Sequence, residues 1–406
     1  MTVAPTARRG PRPLPLHLAT SWLVSTSSLA ALPFARSGSL PWTPSLADAG
    51  AALARDLARA DPEALSHAVA TEAERRLREL VDGVGSYHRH GYARRAARVR
   101  EAWRAGTTRL LDYRPRGGAP ILVVPSLINR AYILDLAPGR SLLRALARRG
   151  LRPFLVDWDA PGEVERRFTL TDYVAGRLEG TLDAVLAATG RRPIVVGYCM
   201  GGLLALALAL RRAGDVAGLA LLATPWDFHQ EAPAFARLFA LPGARAALRA
   251  LDVLPVDMIQ TLLAGSDPLQ VPGKMRAFAR LDPEAPETAV FVALEDWLND
   301  GVPLAGPVAE ECLAGWYGDN EPVRGTWRIA GAPVEPAAWT GRTLVVVPAR
   351  DRIVPPASAE ALVAALPGPD VLRPAAGHVG MVAGRNAEVT LWRPLGDWLV
   401  RLQTSS

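Results

Sequence analysis

From residue 120 onward the chain alternates short, all-apolar runs with helix-like stretches, and this rhythm restricts its fold more than any other feature. The runs are Ile121–Val124, Phe154–Asp157, Ile194–Gly197, Leu219–Ala223, Leu344–Val347 and Val371–Arg373, each closed by a turn signal. Apolar residues without polar alternation suit strands covered on both faces, as in a parallel sheet. Between the runs lie Ser141–Arg149, Leu170–Ala187 and Met200–Arg212, which read as helices. Strand and helix in alternation predict an α/β fold with a mostly parallel, doubly wound sheet. The rhythm breaks after Pro225, where the 117 residues Trp226–Arg342 separate the fourth run from the fifth. They hold the helix-like segments Glu231–Leu241, Met258–Leu263, Ala289–Trp297 and Val308–Trp316. A connection of that length with elements of its own predicts an inserted, mainly helical cap rather than a loop. The expected organisation is a basic, mainly helical region over 1–115, a core in two parts (116–225 and 343–406), and the cap over 226–342.

Composition excludes several other classes. With 50% hydrophobic and 21% charged residues in 406, the chain is neither disordered, nor collagen-like, nor a disulfide scaffold. Two cysteines point to a reducing compartment or to chemistry. The net charge of +6 is no nucleic-acid signal. Up to Arg116 there are 18 arginines against 10 acids; beyond it, 28 basic residues face 30 acidic ones. The body is thus near neutral and the surplus is N-terminal, densest from His88 to Arg100, where it reads as a solvated helix face. Residues 16–34 are mildly apolar but broken by Ser21, Ser25, Thr26, Ser27 and Ser28. They read as a loosely docked, amphipathic arm rather than a secretory signal or a transmembrane span, which makes the protein cytoplasmic.

The chemistry concentrates around Pro193-Ile194-Val195-Val196-Gly197-Tyr198-Cys199-Met200-Gly201-Gly202, a strand entering a sharp turn and then the apolar helix Leu203–Leu210. This is the setting of a nucleophile elbow with cysteine in place of serine. Gly197, Gly201 and Gly202 let strand and helix approach closely, and the helix N-terminus favours a thiolate. Asp351 follows the strand Thr343–Val347, and His378 follows Val371–Arg373. Of six histidines, at 17, 67, 88, 90, 229 and 378, only His378 lies beyond the acid. The order nucleophile, acid, histidine is that of the α/β-hydrolase fold, so Cys199, Asp351 and His378 are the candidate catalytic triad. The backbone N–H of Met200 and one near Leu127 are the candidate oxyanion hole. Cys312, in an expected cap helix, reads as a packing residue, with a Cys199–Cys312 disulfide open on sequence alone.

The segment Gly197-Tyr198-Cys199-Met200-Gly201-Gly202 resembles the G-x-C-x-G-G box of polyhydroxyalkanoate synthases. So do Pro125–Leu136, Asp157-Trp158 with Thr171-Asp172-Tyr173, Leu294–Trp297, Trp316-Tyr317, Asp351–Pro355 and Gly377-His378. Asp351-Arg352-Ile353 stands where that family commonly has Asp-His-Ile. The resemblance implies an acyltransferase that polymerises (R)-3-hydroxyacyl-CoA into polyhydroxyalkanoate and releases CoA through an acyl-Cys199 enzyme. It implies no cofactor and no metal, coenzyme A thioester being the substrate. It also implies a polymer chain or granule surface as partner, with a homodimer or a second synthase subunit. The alternatives are a Cys-dependent esterase, thioesterase or depolymerase, and a non-catalytic granule-associated paralogue. An anion or granule-surface patch is then a second reading of the basic N-terminal stretch, with CoA or a granule surface as its candidates.

Overall fold

The computed structural model describes residues 8–95, 98–114, 116–231, 234–265 and 267–404. The chain forms two compact units, one of Met1–Ala93 with Gln260–Asn299, the other of Arg94–Ile259 with Asp300–Ser406.

The second unit is built on one eight-stranded sheet. Its strands are β1 (Arg100–Ala105), β2 (Thr108–Asp112), β3 (Ala119–Val124), β4 (Leu151–Asp157), β5 (Ile194–Tyr198), β6 (Gly218–Leu222), β7 (Thr343–Val346) and β8 (Asp370–Leu372). They lie in the order β1-β2-β4-β3-β5-β6-β7-β8. From β4 to β8 every pairing is parallel, while β1 with β2 and β2 with β4 are antiparallel. The central strands are buried on both faces; Ile121, Leu122, Val123 and Val124 are each at most 1% exposed. Burial of this completeness contributes about 1.5–3 kcal/mol per large apolar side chain. Helices α4 (Leu142–Arg148), α5 (Glu179–Thr189) and α6 (Met200–Arg211) connect the strands, and Leu203 to Ala209 of α6 are wholly buried. The expected mostly parallel α/β-hydrolase sheet is therefore present, with all six apolar runs as strands.

The first unit is helical. It contains α1 (Leu14–Ser37), α2 (Ala47–Arg59) and α3 (Pro62–Arg89), with the later helices Gln270–Phe278 and Pro286–Asn299. Asp61 caps α3, its carboxylate accepting the Ala64 N–H at 2.8 Å. Leu80, Val84 and Tyr87 of α3 pack with Met275, Phe278 and Val292. Tyr87 donates its hydroxyl to Asp296 at 2.8 Å, and the only lysine, Lys274, pairs with buried Glu295 at 2.7 Å.

Five expectations need correction. The sheet begins at Arg100, inside the region expected to be helical, with β1 as a short, charged edge strand and β2 buried beside it. Part of the cap span, Gln260–Asn299, groups with the N-terminal residues instead. The basic stretch His88–Arg100 is not a helix face: α3 stops at Arg89, and Arg94 stacks on the Tyr132 ring at 4.2 Å. Ala96 and Ala97 of that stretch lie outside the described residues. Residues 16–34 form no loose arm but part of a continuous 24-residue helix, long and apolar enough by length and composition to cross a membrane. Its apolar residues are not gathered on the inner face, so it is not amphipathic in the expected sense. In the cap, Glu231–Leu241 becomes a 3-10 helix over Ala234–Ala240, with Ala232 and Pro233 outside the described residues.

Candidate active site

Cys199 sits between the end of β5 and the start of α6 with φ 56° and ψ −129°. A non-glycine residue rarely adopts a positive φ, and such strain persists only where the surroundings over-determine it. Here the surroundings are visible. The Cys199 N–H donates to the Leu222 carbonyl of β6 at 2.8 Å, and the Cys199 carbonyl accepts from Gly202 N–H at 2.9 Å. A Cβ on Gly201 would collide with the Val124 and Pro125 carbonyls, and one on Gly202 with the Thr224 side chain. One on Gly197 would collide with the Gly202 backbone. The three glycines therefore set how closely α6 approaches β5 and the loop after β3. Met200 opens α6, and Leu127, buried, lies in that same loop; these are the two backbone positions expected to form an oxyanion hole.

Asp351 and His378 come from the loops after β7 and β8. Backbone hydrogen bonds tie the two loops together, Ala349 N–H to Pro374 O at 2.9 Å and Arg350 N–H to Ala376 O at 3.0 Å. The Asp351 carboxylate is buried. One oxygen accepts the Ile353 and Val354 N–H groups at 2.8 and 2.9 Å; the other meets His378 Nδ1 at 2.7 Å. His378 also lies close enough to Cys199 for the sulfur to act on its charge. Its ring stacks on Tyr198 at 5.2 Å, and the Tyr198 hydroxyl donates to the His378 carbonyl at 3.2 Å. Burial works to deprotonate this imidazole, but Cys199 and Asp351 on either side outweigh it and raise its pKa to about 10. Cys199, Asp351 and His378 are thus brought together, although the first two are 152 residues apart in sequence. Cys312 does not join them by a disulfide: both cysteines are free thiols.

One neighbour carried no role in the sequence reading. Tyr317 lies in the π-helix Glu311–Gly318, and burial first, then Cys199 and Cys312, push its hydroxyl pKa upward. The Tyr317 ring packs edge-on against Phe228 at 4.9 Å, and its carbonyl accepts from His229 at 3.1 Å. The same π-helix starts with Glu311, whose carboxylate accepts the Leu170 N–H at 2.6 Å. Burial raises Glu311 to about 7 against that hydrogen bond, with Glu321, Asp172 and Glu310 adding to the rise. Departures from α-helical pairing to the π form often lie at functional sites. An open cleft of about 720 Å³ lies elsewhere, at the N-terminal ends of β7 and β8, and includes none of these residues.

Residues 119–384 match the family model described as alpha/beta hydrolase fold, and the chain belongs to that family. Among curated proteins it is similar to the poly(3-hydroxyalkanoate) polymerase subunit PhaC of Haloferax mediterranei. The two are 29% identical over 303 residues, which is 71% of this chain and 61% of that one. It is likewise similar to the protein of the same name from Synechocystis sp., 29% identical over 70% of this chain and 78% of that one. The resemblance to polyhydroxyalkanoate synthases is thereby borne out, although the matched region spans only about 61% of the length of the Haloferax relative. Among solved structures it is similar to a monoacylglycerol lipase of Paleococcus ferrophilus, with a TM-score of 0.48 and 15% identity over 72% of this chain and 98% of that one.

Proposed function

We propose that the protein is an acyltransferase that polymerises (R)-3-hydroxyacyl-CoA into polyhydroxyalkanoate, with Cys199 as nucleophile, His378 as acid and base, and Asp351 as its orienting partner. The observation that carries the reading is the Cys199 side chain held in a strained elbow beside an imidazole that Asp351 fixes at 2.7 Å. In the first step the Cys199 sulfur attacks the thioester carbonyl. The new C–S bond forms, the C–S bond to CoA breaks, and His378 protonates the departing CoA thiolate. One thioester replaces another, so the acyl-enzyme forms at little thermodynamic cost. In the second step the 3-hydroxyl of a chain end or incoming monomer attacks the Cys199 thioester. Its proton passes to His378, an oxoester forms and the sulfur is released. Serine at position 199 would form an oxoester first and lose that driving force.

The Met200 and Leu127 backbone N–H groups are the donors in this reading for the oxyanion that develops in both steps. No cofactor beyond the substrate's own coenzyme A is required. The polymer chain or granule surface is the macromolecular partner, and a homodimer or second synthase subunit fits the word subunit in the names of the relatives. Incubation with (R)-3-hydroxybutyryl-CoA, followed by thiol release and turbidity, tests the proposal. Wild type is expected to release CoA and form insoluble polymer, and Cys199→Ala to lose at least about a thousandfold of that rate. Equal release by the two proteins sinks the mechanism. Release of free 3-hydroxy acid without polymer assigns the same site to hydrolysis.

A further inference from the structure

Helix α1 is built the wrong way round for water. The side chains it buries are His17 and Ser21, while Leu18, Trp22, Leu23, Val24, Leu29 and Phe34 are between 37% and 59% exposed. Large apolar groups outside and small polar groups inside invert the usual pattern of a helix packed on a core, and so large an apolar surface marks an interaction site.

The helix carries several further signs of what covers it. Residues 13–35 contain no Asp, Glu, Lys or Arg; Arg8, Arg9 and Arg12 precede them and Arg36 follows. The exposed hydroxyls are satisfied within the helix itself. Thr26 donates to the Trp22 carbonyl at 2.9 Å, Ser28 to Val24 at 2.7 Å and Ser37 to Phe34 at 3.1 Å. Such internal bonding is what an apolar medium demands, since it offers no partner to a free hydroxyl. The exposed apolar residues do not form one stripe. Leu18, Trp22 and Leu29 lie on one side, and Leu23 and Phe34 are turned well away from them at 3.6 residues per turn. A second protein would cover one face; a fluid apolar phase covers all of them.

We propose that α1 is a lipid-facing helix that docks this protein onto an anionic phospholipid bilayer. It lies along the acyl boundary with the His17–Ser21 face toward its own unit. Arg8 is held inside the unit by Asp296 at 2.9 Å, so exposed Arg9 before the helix and half-buried Arg36 near its end are the groups that meet the headgroup phosphates, and the exposed Trp22 indole belongs to the residue class favoured at that boundary.

Flotation of the full chain with vesicles of phosphatidylcholine containing phosphatidylglycerol, and with phosphatidylcholine alone, tests this. Wild type is expected to float with the anionic vesicles. The double variant Trp22→Glu/Leu23→Glu is expected to float at least tenfold less, with unchanged thermal unfolding because both sites are exposed. Arg9→Glu is expected to weaken binding to the anionic vesicles. The proposal is overturned if wild type stays in the dense fraction with both vesicle types, or if the double variant floats as wild type does. It is equally overturned if the protein binds polyhydroxyalkanoate particles but no vesicle, or if the double substitution merely turns a dimer into a monomer without lipid.

Discussion

His378 has an acid on one side and a sulfur on the other, and both favour its protonated form strongly enough to overcome burial. Its pKa of about 10 in the folded chain lies above the ordinary value of 6.5. The folded state therefore binds the proton more tightly than the unfolded one. The resulting stabilisation is complete below about pH 6.5 and is lost as pH rises through about 10. Thermal unfolding of wild type and His378→Gln between pH 6 and 10.5 checks the sign. The advantage of wild type should shrink steadily across that window, and a constant difference contradicts the assignment. These residues were legible in the sequence because each ends an apolar run in a fixed order. Tyr317 was not: nothing in the spacing of a helical cap says which of its faces turns toward a cysteine more than a hundred residues earlier.

At the level of elements, the strand–turn–helix unit around Cys199 depends on absent side chains. Gly201→Ala would drive a methyl group into the Val124 and Pro125 carbonyls, which belong to backbone and cannot rotate away. Overpacking of this kind costs about 2–3 kcal/mol, so the variant should show a lowered urea midpoint together with reduced thiol release. Unchanged stability would mean that α6 is not held by that contact. The central strands read from sequence were plain because both faces are covered and their positions are almost all apolar. β1 was hidden for the opposite reason: Arg100-Glu101-Ala102-Trp103-Arg104-Ala105 is an edge strand with its charges in water, and in sequence it merges with the arginine-rich stretch before it. α1 was misjudged because its serines were taken as interruptions, whereas in the fold they bond back to their own helix.

Across the whole molecule, β7 pairs with β6 through Thr343–Leu219 to Val346–Leu222, closing the long insertion between them. Asp351 and His378 both lie beyond that closure. Pairings so distant in sequence form late, because the loop entropy must be overcome before contacts reward it. After dilution from urea, far-UV helicity should return before the Cys199 iodoacetamide reactivity characteristic of the native protein does. Simultaneous recovery would show that the β6–β7 pairing is not the late event.

That arrangement has a consequence for a cell making the protein. A chain stalled before β7 has its cysteine but neither the acid nor the histidine. It is then a thiol without a partner, unable to accept an acyl group it could not pass on. On the mechanism proposed above, the acid and the base arrive only with the last strands, so unfinished copies would lack the groups that acyl transfer requires.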